Sequence, residues 1–124
     1  MSPEIKQRLA ANLASVGQLR NASETTERWR LLEEAHILSQ PWAVPHIKVH
    51  GAMLIEAVRA RDRREALGQV VRLVVAGPGS LTGRYPVGNT GRATVDMTLQ
   101  MPVPAHLEAL LATKPSPSLE PGAP

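Results

Sequence analysis

Apolar residues recur at intervals of three and four along four stretches of this chain, and this period predicts helices. Helix starts are marked as well: Asn21 and Glu24 have the spacing of a capping box, and Asp62 has a glutamate three positions later. The predicted helices cover residues 3–20, 23–39, 45–60 and 63–76, the last one ended by Gly77-Pro78-Gly79. A short connection joins the second and third helices, which predicts an antiparallel hairpin.

The core has few aromatic side chains, because the chain contains two Trp, one Tyr and no Phe. Leu, Val, Ile, Ala and Met must fill it, which suits helix packing better than a β-sandwich. We therefore expect an all-α fold: a four-helix core of two helical hairpins, then a Gly- and Pro-rich loop and a short helix that begins at Pro104. The predicted domain covers residues 1–112. Residues 113–124 form a Pro-rich tail that we expect to be disordered.

The fourth predicted helix carries two stripes, and the apolar one is expected to be buried. It consists of Leu67, Val70, Val71 and Val74. The polar stripe, with Glu65 and Gln69, has two interpretations: a solvated face, or side chains that turn toward histidines and orient them. The third and fourth helices resemble a tetratricopeptide hairpin, although no second copy follows at the 34-residue period.

Three of the four histidines lie within residues 33–50. His46 and His50 are four positions apart on a predicted helix, so their rings point the same way and can grip one metal ion. His36 lies in the last turn of the preceding helix, which the hairpin places opposite them. Glu33 precedes His36 at the Glu-x-x-His spacing of carboxylate-bridged diiron bundles. The pattern predicts a Zn, Co or Ni site formed by His36, His46, His50 and Glu33, with Gln40, Glu65 and Gln69 as the residues that orient the ligands.

The same histidines have a structural interpretation. His36 shares a helical stripe with Trp29 and Leu32, so it can be a core histidine bonded to a backbone carbonyl or to Gln69. Two functions therefore stay open: a metal-binding accessory protein, and a tetratricopeptide-like interaction module without metal. An enzyme has the least support, because no Ser-His-Asp order is recognisable.

Other classes of function are excluded or disfavoured by composition. The chain has no cysteine, which removes disulfides, thiolate metal sites and cysteine nucleophiles. It has no apolar signal segment and no run long enough to span a bilayer, so we expect a cytoplasmic protein without a membrane partner. Arginines cluster at residues 59–64 without an aromatic residue between them, so a nucleic-acid partner is not predicted. The expected partner is an unknown protein or a second copy of the chain.

Residues 83–91 form a glycine-rich segment between helical regions, and we predict that it folds over the helix junction. The glycines and the Asn89-Thr90-Gly91 turn suit positive φ angles, and the Asn89 side chain is expected to hydrogen-bond backbone groups that hold the loop there. The loop would shield His36 and His50 from water. Residues 93–99 alternate weakly and are compatible with a short extended segment.

Five short motifs, spread over about residues 31–111, resemble a small bacterial family known only as a domain of unknown function. They are Ala35-His36-x-Leu38-x-Gln40, His46-x-x-Val49-His50, Gly68-Gln69-x-x-Arg72-Leu73, Gly83-Arg84-x-Pro86-x-Gly88-Asn89-Thr90-Gly91 and Met101-Pro102-x-Pro104. The resemblance implies a compact helical protein of about this length and brings no established activity. Members often lie beside heavy-metal resistance genes, which implies a role connected with metals.

Overall fold

The computed structural model describes residues 1–112, and this part of the chain contains five α-helices. They are α1 (Pro3–Gln18), α2 (Thr25–Ser39), α3 (Ala43–Arg59), α4 (Arg63–Thr82) and α5 (Ala105–Leu111). A 3-10 turn, Ala22–Glu24, leads into α2, and residues 1–112 contain no strand. The all-α prediction is confirmed. The predicted tail, residues 113–124, lies outside the described residues.

Side chains cap the starts of α1, α4 and the 3-10 turn before α2, the last two at the predicted residues. The Ser2 hydroxyl accepts a hydrogen bond from the Ile5 amide at 3.2 Å. The Asp62 carboxylate accepts one from the Glu65 amide at 3.0 Å, and Asn21 forms a capping box with the glutamate three positions later. These bonds satisfy amides that have no partner inside the helix, so α1, α4 and the 3-10 turn before α2 begin at their caps.

The helices pair in chain order: α1 packs against α2, α2 against α3, and α3 against α4. His46, near the start of α3, meets Ser80, near the end of α4, so α3 and α4 run antiparallel. The core is aliphatic and includes Ile5, Leu9, Leu32, Leu38, Val49, Met53 and Ala57. The short helix α5 closes one side of it by inserting Leu107, which is fully buried, against α1 and α2.

The fourth helix is longer than predicted, because it continues through Pro78 to Thr82. Proline removes one helical hydrogen bond, but Pro78 lies on the exposed side, where water can reach the carbonyl that loses its partner. Gly77 is buried against Ile47, where a Cβ atom would lie 3.2 Å from the Ile47 side chain, so the helix packs closely there. The stop is Gly83, whose φ of 70° forms a left-handed C-cap.

The predicted buried face of α4 is wrong. Its apolar stripe is exposed at all four of the expected positions, Leu67, Val70, Val71 and Val74. The polar stripe is buried instead: Glu65 and Gln69 face the interior of the protein. The reason is tertiary, since the buried histidines and loop carbonyls beside α4 need hydrogen-bond partners, and a polar helix face supplies them.

The chain between α4 and α5, residues 83–104, returns over the helix ends in a series of turns. The segment 93–99 forms turns rather than the extended stretch that its alternation suggested. Gly83, Gly88 and Gly91 have φ angles of 70°, 78° and 82°. Within residues 1–112, no helix has both the length and the apolar character that crossing a bilayer requires.

Candidate metal centre

Three histidine side chains meet at the junction of α2 and α3. His36 comes from the last turn of α2, and His46 and His50 come from the first two turns of α3. Their Nε2 atoms form a nearly equilateral triangle: 3.0 Å from His46 to His36, and 3.1 Å for each of the other two pairs. All three side chains are buried. The predicted approach of these residues is confirmed.

The other ring nitrogen of each histidine, Nδ1, is held by an oxygen atom. Nδ1 of His36 donates to the Asn89 carbonyl at 2.7 Å, which fixes the proton on Nδ1. Nδ1 of His46 contacts the Ser80 hydroxyl at 2.8 Å, and that hydroxyl donates to the Gln40 carbonyl at 2.6 Å. Because the hydroxyl hydrogen is already committed, Ser80 accepts from His46.

The His50 ring is also held through its Nδ1 atom, in this case by the side chain of Gln69. The Gln69 amide nitrogen donates to the Glu65 carboxylate at 2.9 Å and to the Gly91 carbonyl at 2.8 Å. Both of these groups only accept, so the amide oxygen must face His50, whose Nδ1 lies 2.7 Å away and donates to it. All three rings therefore carry their proton on Nδ1, and their Nε2 atoms expose lone pairs.

Burial keeps the three rings neutral. Desolvation, helped by the neighbouring His50 and His46 rings, holds the pKa of His36 well below its ordinary value. Desolvation also lowers the pKa of His46 to about 4 and the pKa of His50 to about 4. Neutral imidazoles with protonated Nδ1 atoms cannot hydrogen-bond to one another through Nε2. Three lone pairs thus converge within 3.1 Å with no hydrogen atom between them.

The loop between α4 and α5 presses directly on this triangle. A Cβ atom at Gly91 would lie 2.6 Å from a carbon of the His36 ring, so only glycine fits there. The Asn89 side chain holds the loop: its amide donates to the carbonyls of Asp96 and Leu99 at 2.9 and 2.8 Å, and its oxygen accepts from the Gly91 amide at 2.9 Å. Asn89 therefore fixes both the loop and, through its carbonyl, the His36 ring.

The predicted ligand Glu33 lies outside the triangle. Its half-buried carboxylate accepts from Arg92 at 3.4 Å, and Arg92 also stacks over Trp29 with its guanidinium carbon 3.7 Å from the ring centroid. Glu65, predicted to orient a ligand, accepts from the Ala93 amide at 3.0 Å and holds Gln69 in place. These contacts tie the start of α4 to the loop.

Gln40 acts through its backbone more than through its side chain. Its carbonyl accepts from Ser80, as described, while its side-chain amide donates to the Pro86 carbonyl at 2.8 Å and anchors the loop. Ser80 is the residue that sequence reasoning missed, because the predicted helix ended at residue 76. Residues 65, 69, 72, 76 and 80 share the buried face of α4, and all but Ala76 are polar; continuing this face past Pro78 is the signal that could have identified Ser80.

A cavity of about 370 Å³ adjoins the three histidines, and all three line it. Its walls are largely apolar and come from the second half of α4 and from the loop, including Val75, Pro86 and Met97. Arg72 and Arg84 are the charged residues among the lining side chains, and no carboxylate of the described chain lines it. The site therefore has one open side, shaped like a small-molecule pocket.

Comparison with known proteins gives one match. A family model described as a protein of unknown function (DUF3703) covers residues 3–111. No curated protein matches the chain. No solved structure matches it either, so the tetratricopeptide-like pairing stays a prediction. The expected resemblance to a family of unknown function is confirmed: this chain belongs to the family described as Protein of unknown function (DUF3703).

Proposed function

We propose that this protein binds one divalent transition-metal ion through the Nε2 atoms of His36, His46 and His50. The observation that carries the proposal is the convergence of three Nε2 lone pairs at 3.0–3.1 Å while every Nδ1 proton is used elsewhere. In a tetrahedral site with metal–nitrogen bonds of about 2.0–2.1 Å, the nitrogen atoms stand roughly 3.3 Å apart. A cation would convert the repulsion between the lone pairs into coordination.

The donor set favours Zn²⁺, Co²⁺ or Ni²⁺. Three neutral imidazoles suit borderline ions, whereas Mg²⁺ and Ca²⁺ prefer carboxylate and carbonyl oxygens. The three Nδ1 contacts are the hydrogen bonds that metal-binding histidines usually make, and they fix the tautomer that coordination needs. Depressed imidazole pKa values add to this, because no proton has to leave at neutral pH.

Three protein ligands leave a fourth position on a tetrahedral ion, and the cavity beside the histidines is where an exogenous ligand would bind. Structural zinc sites are closed by four protein ligands, so the arrangement favours a centre that exchanges ligands. With no carboxylate of residues 1–112 lining the cavity, a general base is missing from its walls. We therefore propose a cytoplasmic metal-holding accessory protein rather than a hydrolase.

The proposal is tested with untagged protein, stripped of metal and titrated with Zn²⁺, Co²⁺ and Ni²⁺ by calorimetry. We expect one ion per chain and a higher melting temperature, since a ligand at 100 times its Kd stabilises the native state by about 2.7 kcal/mol. His50→Ala should abolish both effects. His106→Ala is the matched control, because His106 lies outside the triangle and pairs with Glu34. Flat titrations with all three ions would remove the proposal.

The open position has its own test. The visible spectrum of Co²⁺ reports its coordination, and a small anion such as azide should change the spectrum of the loaded protein by entering the fourth position. A spectrum that azide leaves unchanged, together with unaltered Co²⁺ affinity, would indicate a closed site and contradict the ligand-exchanging role. The alternative of an interaction module with structural histidines predicts no metal effect and a simple loss of stability in His50→Ala of about 1–3 kcal/mol.

A further inference from the structure

Helix α4 buries its polar face and exposes its apolar face, and no part of the described chain covers the apolar face. The face that points inward carries Gln69 and Ser80, which hold two of the histidines. The outward face carries large apolar side chains: Leu67 is 69% exposed, Val74 is 73% exposed and Leu81 is 80% exposed. Scattered exposed apolar residues are ordinary, but a continuous stripe along a 20-residue helix is not.

The spacing of the stripe indicates what covers it. Leu67, Val71, Val74, Pro78 and Leu81 follow one another at intervals of four, three, four and three. This is the spacing of the two apolar positions in a heptad repeat, which places a seam along the helix where a second helix packs. A membrane surface requires only a broad apolar face and imposes no such alternation.

The neighbouring helix enlarges the face. On α3, the side chains of Val44, Ile47, Ile55 and Val58 are exposed as well, and Ile47 lies against Gly77 of α4. Together with the six exposed apolar side chains of α4, they give ten exposed large apolar side chains on two adjacent helices, whereas exposed apolar residues on a monomer are ordinarily scattered singly. A standard stable interface buries about 800 Å² on each partner, which is the area that a partner would have to cover on α3 and α4.

We propose that this face binds a second copy of the same chain, with the two α4 helices packed antiparallel. Between Arg64 and Arg84, the two charged residues of α4, Glu65 and Arg72, are both buried, so no charge interrupts the seam. Arg63 and Arg64 stand at one end. A parallel pair would bring the four arginines together, whereas an antiparallel pair separates them and places each end beside the carbonyl end of the other helix. The resulting two-fold contact is closed, as in most homodimers.

Sedimentation of the full-length chain over a range of concentrations tests the dimer. We expect a species of twice the 13.4 kDa chain mass, and at least a tenfold weaker association for Val74→Glu. Val87→Glu is the matched control, since Val87 is an exposed valine of the loop rather than of α3 or α4. Circular dichroism of Val74→Glu checks that the fold is intact, so a loss of association can be assigned to the face, and the test does not depend on whether the histidines bind metal.

The relative orientation of the two α4 helices is tested by thiol crosslinking. The chain has no native cysteine, so only the introduced cysteines can react. With a short thiol crosslinker, a mixture of Leu67→Cys and Leu81→Cys should crosslink faster than either variant alone, because antiparallel helices bring opposite ends together. Faster self-crosslinking of each single variant would show a parallel pair and overturn the proposed geometry. A chain that stays monomeric at every concentration, or that is monomeric and sediments with acidic lipid vesicles through this face, would overturn the dimer itself.

Discussion

Replacing Gly91 by alanine should dismantle the histidine triangle from its loop side. The added Cβ atom would lie 2.6, 2.7 and 2.9 Å from three atoms of the His36 ring, the last of them Nε2. Ordinary contacts between carbon atoms are about 3.5–4.0 Å, so the ring or the loop must retreat by roughly 1 Å. A metal–nitrogen bond of about 2.0–2.1 Å does not survive a displacement of that size.

Gly91→Ala has a backbone cost and a steric cost, and alanine substitutions at two other glycines allow the two costs to be measured separately. The φ of 82° at Gly91 costs an alanine about 1–2 kcal/mol, and forcing a methyl group into a packed site costs about 1–3 kcal/mol. Gly83→Ala carries only the first cost, because its φ is 70° and a Cβ atom there has no neighbour within 4 Å. Gly17→Ala carries neither, and as a helical glycine it should gain up to about 1 kcal/mol.

The free energy of unfolding, measured in urea without metal, should therefore fall by about 2–5 kcal/mol in Gly91→Ala and by about 1–2 kcal/mol in Gly83→Ala. Calorimetry should show Zn²⁺ affinity at least about 100-fold weaker in Gly91→Ala and nearly unchanged in the two other variants. If Gly91→Ala is no less stable than Gly83→Ala and binds Zn²⁺ as the unmodified protein does, the loop does not rest on His36 and the reasoning fails.

Three further results are expected. Burial lowers the pKa of His46 and His50 from 6.5 to about 4, so the unfolded chain binds more protons than the folded one between these pH values. The free energy of unfolding without metal should therefore fall by up to about 1.4 kcal/mol per pH unit for each ring as the pH drops from 6.5 toward 4. A rise in this free energy on acidification would contradict three neutral rings. Asn89→Ala, which loses three side-chain hydrogen bonds, should cost about 2–4 kcal/mol and speed amide exchange of residues 83–91, whereas unchanged exchange would mean that the loop is held otherwise. Ser80→Ala should weaken Zn²⁺ binding about 10- to 100-fold by leaving the Nδ1 proton of His46 without an acceptor, and calorimetry showing equal affinity would exclude that role.

The proximity of the three histidines could be predicted from the sequence. The spacing of His46 and His50 depends only on helix geometry, and the short connection between α2 and α3 places His36 opposite them. Local signals also located most helix starts, since a cap such as Asp62 acts on amides two or three residues away. What is local in the fold was predicted correctly.

The largest errors concern α4, where contacts with residues distant in the sequence decide which face is buried. Leu67 and Val74 resemble a buried stripe by pattern alone, but the interior beside α4 contains imidazoles and loop carbonyls that only polar side chains can satisfy. Pro78 resembles a stop, yet the contacts of Gly77 with Ile47 and of Ser80 with His46 hold the helix beyond it. Neither set of contacts has a signature within a short window of sequence.

The groups that fix the three imidazoles all follow them in the chain, and this has a consequence for the order of assembly. His36 and the Asn89 carbonyl that fixes its proton are 53 positions apart, while Gln69 and Ser80 lie between them. The histidines of a nascent chain leave the ribosome before these acceptors do, and until the acceptors follow, each ring is free to adopt either tautomer. We expect productive metal capture to wait for the last of these acceptors, so that a loaded centre reports a chain folded through residue 91.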